Sequence, residues 1–190
     1  MTWNKLHFPV KKTGTIAEVY LNEDKTLIKK VFKVGGITVS GEATEFTEEQ
    51  INRAFENEVH WLKTLKGKWV PELVQVGRFF DKDGNSEGNM LIQRYYGTDL
   101  LENYMSKTLW DDVPNITEQV IEMYEFFKEN NVFKHNGSLS NLTMHNDQLI
   151  AFDFKWARVR PEGIDLEIRS YNEWLCKIDR SLPTILKEMI

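Results

Sequence analysis

Between residues 6 and 33 apolar and polar positions alternate, with Val19 and Tyr20, Leu27 and Ile28, and Val31 and Phe32 at strand spacing. Gly14 and the turn-forming Asn22-Glu23-Asp24 break the pattern, so three antiparallel strands are expected. Residues Val34 to Phe46 carry Gly35, Gly36 and Gly41 among Ser, Thr and Glu, which predicts a loop. A helix from Thr47 to about Leu65 follows, opened by a capping box between Thr47 and Gln50. Beyond Pro71, segments Leu73 to Phe80 and Asn89 to Tyr96 flank a polar turn, Asp81-Lys82-Asp83-Gly84-Asn85, and predict a hairpin. After Gly97 the period turns helical: a short helix near Asp99 to Ser106, then a longer one with Ile116, Val120, Tyr124 and Phe127 on one stripe. Leu142 to Asp153 reads as a small hairpin turning at His145-Asn146-Asp147-Gln148, and Asp165 to Ile178 as a last helix before Pro183. The expected class is α+β: a five-stranded antiparallel sheet with one helix over residues 1–96, then a small, mostly helical lobe over 97–190.

Composition narrows the function classes. With 41% apolar, 12% aromatic and 28% charged residues, the 190-residue chain can bury a core and keep a solvated surface. The 24 basic residues against 29 acidic ones, a net charge of −5, argue against a broad nucleic-acid footprint. Lys11-Lys12 and Lys29-Lys30 are too short for such a patch and fit solvated strand edges. No apolar run approaches the ~20 residues of a membrane span, and the amino terminus lacks the charged-then-apolar pattern of a secretory signal. The single cysteine, Cys176, sits in the apolar Trp174-Leu175-Cys176 and predicts an inert thiol and a reducing, cytoplasmic setting. His7, His60, His135 and His145 show no metal spacing. Trp156 is expected to pack the base of its lobe rather than to touch substrate.

Two features carry chemistry. On a 100° wheel Ile51, Phe55, Glu58, Leu62 and Leu65 share one narrow stripe, so a carboxylate stands in the middle of an apolar face. It must escape to the edge of the core or meet a cation, and Lys29 and Lys30 offer one on either face of a neighbouring strand. At the base of the later hairpin, pairing across the turn brings Asn141 beside Phe152 and Asp153. A carboxylate next to a carboxamide oxygen suits Mg²⁺, a hard cation that takes few protein ligands alongside phosphates.

In this order the chain resembles the protein-kinase-like superfamily from about Val10 to Arg158. Gly14-Thr15-Ile16-Ala17-Glu18-Val19-Tyr20 looks like the strand-turn-strand that covers ATP phosphates, with Gly14 as its one matching glycine and Ala17 at the last. Leu27-Ile28-Lys29-Lys30-Val31 resembles the third strand, where the spacing favours Lys29 as the phosphate-contacting lysine, with Lys30 as its alternative. Asn57 to Leu65 is similar to the helix whose glutamate, here Glu58, pairs with that lysine. Met90 to Gly97 resembles the last strand and hinge: Gln93 would guard the pocket, and backbone groups of Arg94, Tyr95 and Tyr96 would meet adenine. Phe133 to Leu142 looks like the catalytic loop, and Asp153-Phe154-Lys155 like the metal-binding triplet.

The resemblance implies ATP and Mg²⁺ as cofactors, with Asn141 and Asp153 as metal ligands and Lys29 and Glu58 orienting phosphates. It leaves a protein partner open and does not identify the phosphate acceptor; charge and the shortness of the apolar runs predict no nucleic-acid or membrane partner. Three positions depart from the family: Lys134 replaces a histidine, Lys155 replaces the glycine after Asp153-Phe154, and Asn136 stands at the catalytic aspartate. An amide cannot accept the substrate proton as a general base. The short remainder after Asp153 fits compact RIO-type, lipopolysaccharide-kinase-like or aminoglycoside-phosphotransferase-like members. The expected function is a minimal ATP-dependent phosphotransferase. Its alternatives are a pseudokinase that binds nucleotide or a partner without catalysis, and an unrelated α+β binding domain.

Overall fold

The structure, a computed structural model, describes residues 2–6, 15–37, 46–97, 115–133 and 141–160. The chain divides into two compact units, Met1–Thr64 with Pro71–Tyr95, and Leu65–Val70 with Tyr96–Ile190.

The first unit is a five-stranded antiparallel sheet and one helix. Strands β1 (Trp3–Lys5), β2 (Thr15–Asn22), β3 (Leu27–Ile37), β4 (Leu73–Phe80) and β5 (Ser86–Arg94) lie in the order β1-β2-β3-β5-β4, with helix α1 (Glu48–Thr64) between β3 and β4 in sequence. The first strand starts earlier than the alternation indicates, at Trp3. β3 continues through Gly35 and Gly36 to Ile37, where a loop was expected, because Ile37 still pairs with Thr15 across an irregularity in β2.

Local chemistry sets the turns. Asn22 Oδ1 accepts hydrogen bonds from the backbone N–H groups of Thr26 and Leu27 at 2.9 and 2.8 Å, closing the β2–β3 turn. Asp81 Oδ1 does the same for Asp83 and Asn85 at 2.9 and 2.7 Å between β4 and β5. Helix α1 opens with the predicted capping box: the Thr47 N–H donates to Gln50 Oε1 at 2.9 Å and the Gln50 N–H to Thr47 Oγ1 at 3.2 Å. Its buried stripe includes Ile51, Phe55, Glu58 and Leu62, and packs on the face of β3 that presents Phe32, whose ring meets Phe55 edge-on at 5.4 Å.

In the second unit helix α2 (Ile116–Glu129) accompanies two two-stranded sheets: β6 (Val132–Phe133) paired with β9 (Arg158–Val159), and the hairpin β7 (Leu142–His145) with β8 (Gln148–Ala151). Val120, Tyr124 and Phe127 of the predicted stripe are fully buried, and Phe127 packs on Phe154 at 6.1 Å. Gln119 ties the hairpin to the helix, accepting from the Leu149 N–H at 2.8 Å and donating to the Asp147 carbonyl at 2.7 Å. Asn146 and Asp147, with φ of 49° and 60°, form the tight turn the hairpin needs. The helices expected at 99–106 and 165–178, and Cys176, lie outside the described residues. Among the described residues no helix is long and apolar enough to cross a membrane.

Candidate functional site

Side chains alternate across a strand, so adjacent Lys29 and Lys30 enter opposite faces of the sheet. Lys30 shares its face with Val19, directly opposite on β2, and with Leu91, directly opposite on β5. This is the face that α1 covers. Lys30 Nζ lies 2.5 Å from Glu58 Oε1, and the Glu58 side chain is 0% exposed. The carboxylate that the wheel placed in an apolar stripe is therefore buried and ion-paired.

The partner is Lys30, which corrects the assignment to Lys29. Lys29 faces away from α1, between the rings of Trp3, Tyr20 and Phe79, which lie 4.8, 4.6 and 4.7 Å from its ammonium. The negative faces of the three rings stabilise the cation in place of water. Burial still pushes the Lys29 ammonium below the usual lysine pKa. Neither lysine is a solvated strand edge, since both lie on a strand flanked by β2 and β5 and both are buried. Spacing along the chain pointed to Lys29, but the side of the sheet on which α1 packs gives the pair to Lys30.

Gln93 also lies on the Lys30 face, opposite Ile28, and is 4% exposed. Its Oε1 and the second oxygen of Glu58, Oε2, are buried without a hydrogen-bond partner among the described residues. Buried polar atoms are nearly always satisfied, so the bonding of these oxygens, and of the Trp61 indole N–H that is likewise unpartnered among the described residues, is left to water, a ligand or residues beyond those described. Sequence reasoning found Gln93, but nothing in the chain signalled that its oxygen would be left orphaned. The backbone at the end of β5 is partly committed: the Arg94 and Tyr95 N–H groups donate to the Glu72 and Thr26 carbonyls, both at 2.9 Å. The Tyr96 carbonyl accepts from Thr143 Oγ1 at 3.4 Å. Gly14 and Asn136 lie outside the described residues.

In the second unit the hairpin base forms as expected, with the Phe152 N–H donating to the Asn141 carbonyl at 2.9 Å. Asn141 is buried beside it. Asp153, however, is engaged by its own neighbour: Lys155 Nζ lies 2.7 Å from Oδ1 and also bonds Oδ2. An ammonium thus spans the carboxylate edge that Mg²⁺ would take, and the two charges neutralise each other. A divalent cation at Asp153 would have to displace or share the carboxylate with this ammonium. The sequence sets the two charges two residues apart, but not the backbone turn that aims one at the other. Among the described residues no three His, Cys, Asp or Glu side chains gather as a metal group. Trp156, expected to pack the lobe base, is 41% exposed.

A separate network crosses the other face of the sheet. Glu18 accepts from Lys5, from the Tyr20 hydroxyl at 2.6 Å and from Lys33 at 3.0 Å, and Lys33 also meets Glu87 at 2.6 Å. Burial would raise the Glu18 pKa, but the hydrogen bonds from Lys5, Tyr20 and Lys33 outweigh it and hold the carboxyl at about 2. Burial and the Glu18 carboxylate together push the Tyr20 hydroxyl up to about 12. This cluster joins four strands and has the character of a structural tie.

No family model matches this chain, and no curated protein matches it in sequence.

Proposed function

We propose that this chain is a protein-kinase-like nucleotide-binding protein in which Lys30, held by Glu58, orients the phosphates of ATP, and that it acts as a minimal phosphotransferase. The observation that carries this reading is the buried Lys30–Glu58 pair, set in an apolar interface on the face it shares with Val19 and Gln93. A buried ion pair contributes little net stability, because desolvation offsets most of the attraction. Its presence is better accounted for by work on an anion, and a lysine fixed by a carboxylate is suited to a phosphate oxygen. Phosphoryl transfer passes through a loose transition state and asks mainly for positioning, so Asn136 slows such an enzyme without removing its basis.

Calorimetric titration with ATP tests the reading. Wild type should bind, Lys30→Met should lose about tenfold or more in affinity, the worth of a charge-assisted hydrogen bond, and Lys29→Met should keep the wild-type value. Failure of wild type to bind millimolar ATP would end the proposal.

A pseudokinase is the second reading, favoured by the ammonium that sits on Asp153. Asn136→Asp separates the two. A general base is worth about 10²–10⁴-fold, so the substitution should raise ATP turnover clearly if the remaining site is competent, and leave it at zero if the chain only binds.

A further inference from the structure

We propose that Lys29 is a nucleophilic amine that takes aromatic aldehydes as a Schiff base, at a ring-walled site on the face of the sheet opposite α1. The site is separate from the Lys30–Glu58 pair and does not depend on the nucleotide reading.

Every part of the site belongs to the five-stranded sheet. Lys29 stands opposite Tyr20 on β2 and Ile92 on β5, and Trp3 joins from β1. Phe79 of β4 pairs with Gly88, which has no side chain, so its ring leans across β5 to lie 6.1 Å from the Tyr20 ring. Lys29 is 7% exposed, while the three rings around its ammonium are each half-buried and form the rim of the site. Of the two buried lysines among the described residues, Lys30 meets a carboxylate and Lys29 meets none. The carboxylates on the Lys29 face are already engaged: Glu18 by Lys5, the Tyr20 hydroxyl and Lys33, and Glu87 by Lys33. The amine is therefore walled by rings, with no hydrogen-bond acceptor among the described residues, and its desolvation favours the neutral form that has a lone pair to share.

Such an amine attacks a carbonyl carbon. The C–N bond forms, the carbonyl oxygen leaves as water with both amine hydrogens, and no oxidant or reductant is required. Protonation of the imine gives an iminium cation, which the same three rings stabilise as they do the ammonium. Aromatic walls favour an aromatic aldehyde, whose ring packs against them, and their partial exclusion of water opposes hydrolysis of the imine.

The test treats wild type at neutral pH with salicylaldehyde and cyanoborohydride, which reduces the imine to a stable secondary amine, and reads labelling at each lysine by peptide mass spectrometry. Lys29 should be labelled several-fold faster than Lys25 and Lys63, which are exposed, and several-fold faster by salicylaldehyde than by propanal. Trp3→Leu, checked by thermal melting, should bring Lys29 down to the rate of the exposed lysines. Labelling of Lys29 no faster than that of Lys25 and Lys63 in wild type overturns the inference and leaves Lys29 a structural cation. Equal reaction with the two aldehydes, or a folded Trp3→Leu protein that keeps the fast labelling, overturns it as well.

Discussion

The ammonium of Lys30 lies 2.5 Å from Oε1 of Glu58, with the carboxylate wholly shut away from solvent between β3 and α1. Removing either member alone leaves the other charge buried and unmatched. Lys30→Met and Glu58→Leu should each destabilise the fold by about 3–5 kcal/mol, whereas the double replacement Lys30→Met with Glu58→Leu should recover most of that loss. Urea denaturation of the four proteins measures it. Equal, additive losses in the double variant would show that the two groups do not act as a pair.

Glu18 gives the stability a pH dependence of defined sign. Its carboxyl titrates at about 2 in the folded chain against an ordinary 4.5, so the folded state holds fewer protons between those values. The contribution is complete above the ordinary value and is lost as pH falls through 4.5 toward 2. Because Glu18 is partly exposed, solvent screening reduces it to the order of 1–2 kcal/mol. Denaturant midpoints followed from neutral pH to about pH 3 should fall less steeply for Glu18→Gln than for wild type. Parallel curves would mean that Lys5, Tyr20 and Lys33 do not hold the carboxylate.

Gly88 in β5 has φ 151°, and a Cβ there would lie 2.0 Å from the carbonyl oxygen of Phe32 on β3. Backbone must move to admit any side chain. Gly88→Ala should therefore cost more than about 2 kcal/mol and loosen the β3–β5 pairing that positions Lys30 and Gln93. Thermal melting and amide exchange at Lys30 to Phe32 measure both effects, and an unchanged melting temperature would contradict the close approach of the two strands.

Much of the fold was written in local pattern. The Thr47–Gln50 capping box, the α1 stripe, the Asp81 turn and the two-residue turn at Asn146-Asp147 all depend on residues a few positions apart, and each forms where the sequence places it. The oddity of Glu58 was legible for the same reason, since helical period alone puts it among Ile51, Phe55 and Leu62. Which lysine answers it was not legible. Lys29 and Lys30 are adjacent, and a strand presents them to opposite faces with nothing local to say which face the helix will cover. Tertiary packing decided that, giving Lys30 to Glu58 and Lys29 to the rings of Trp3, Tyr20 and Phe79, residues drawn from three other strands. The Glu18 cluster and the continuation of β3 through Gly35 and Gly36 likewise depend on strand register, which joins residues far apart in the chain. At Asp153 the sequence supplied both charges two residues apart, but the left-handed backbone beside the buried Phe154, where one charge meets the other, appears only in the packed unit.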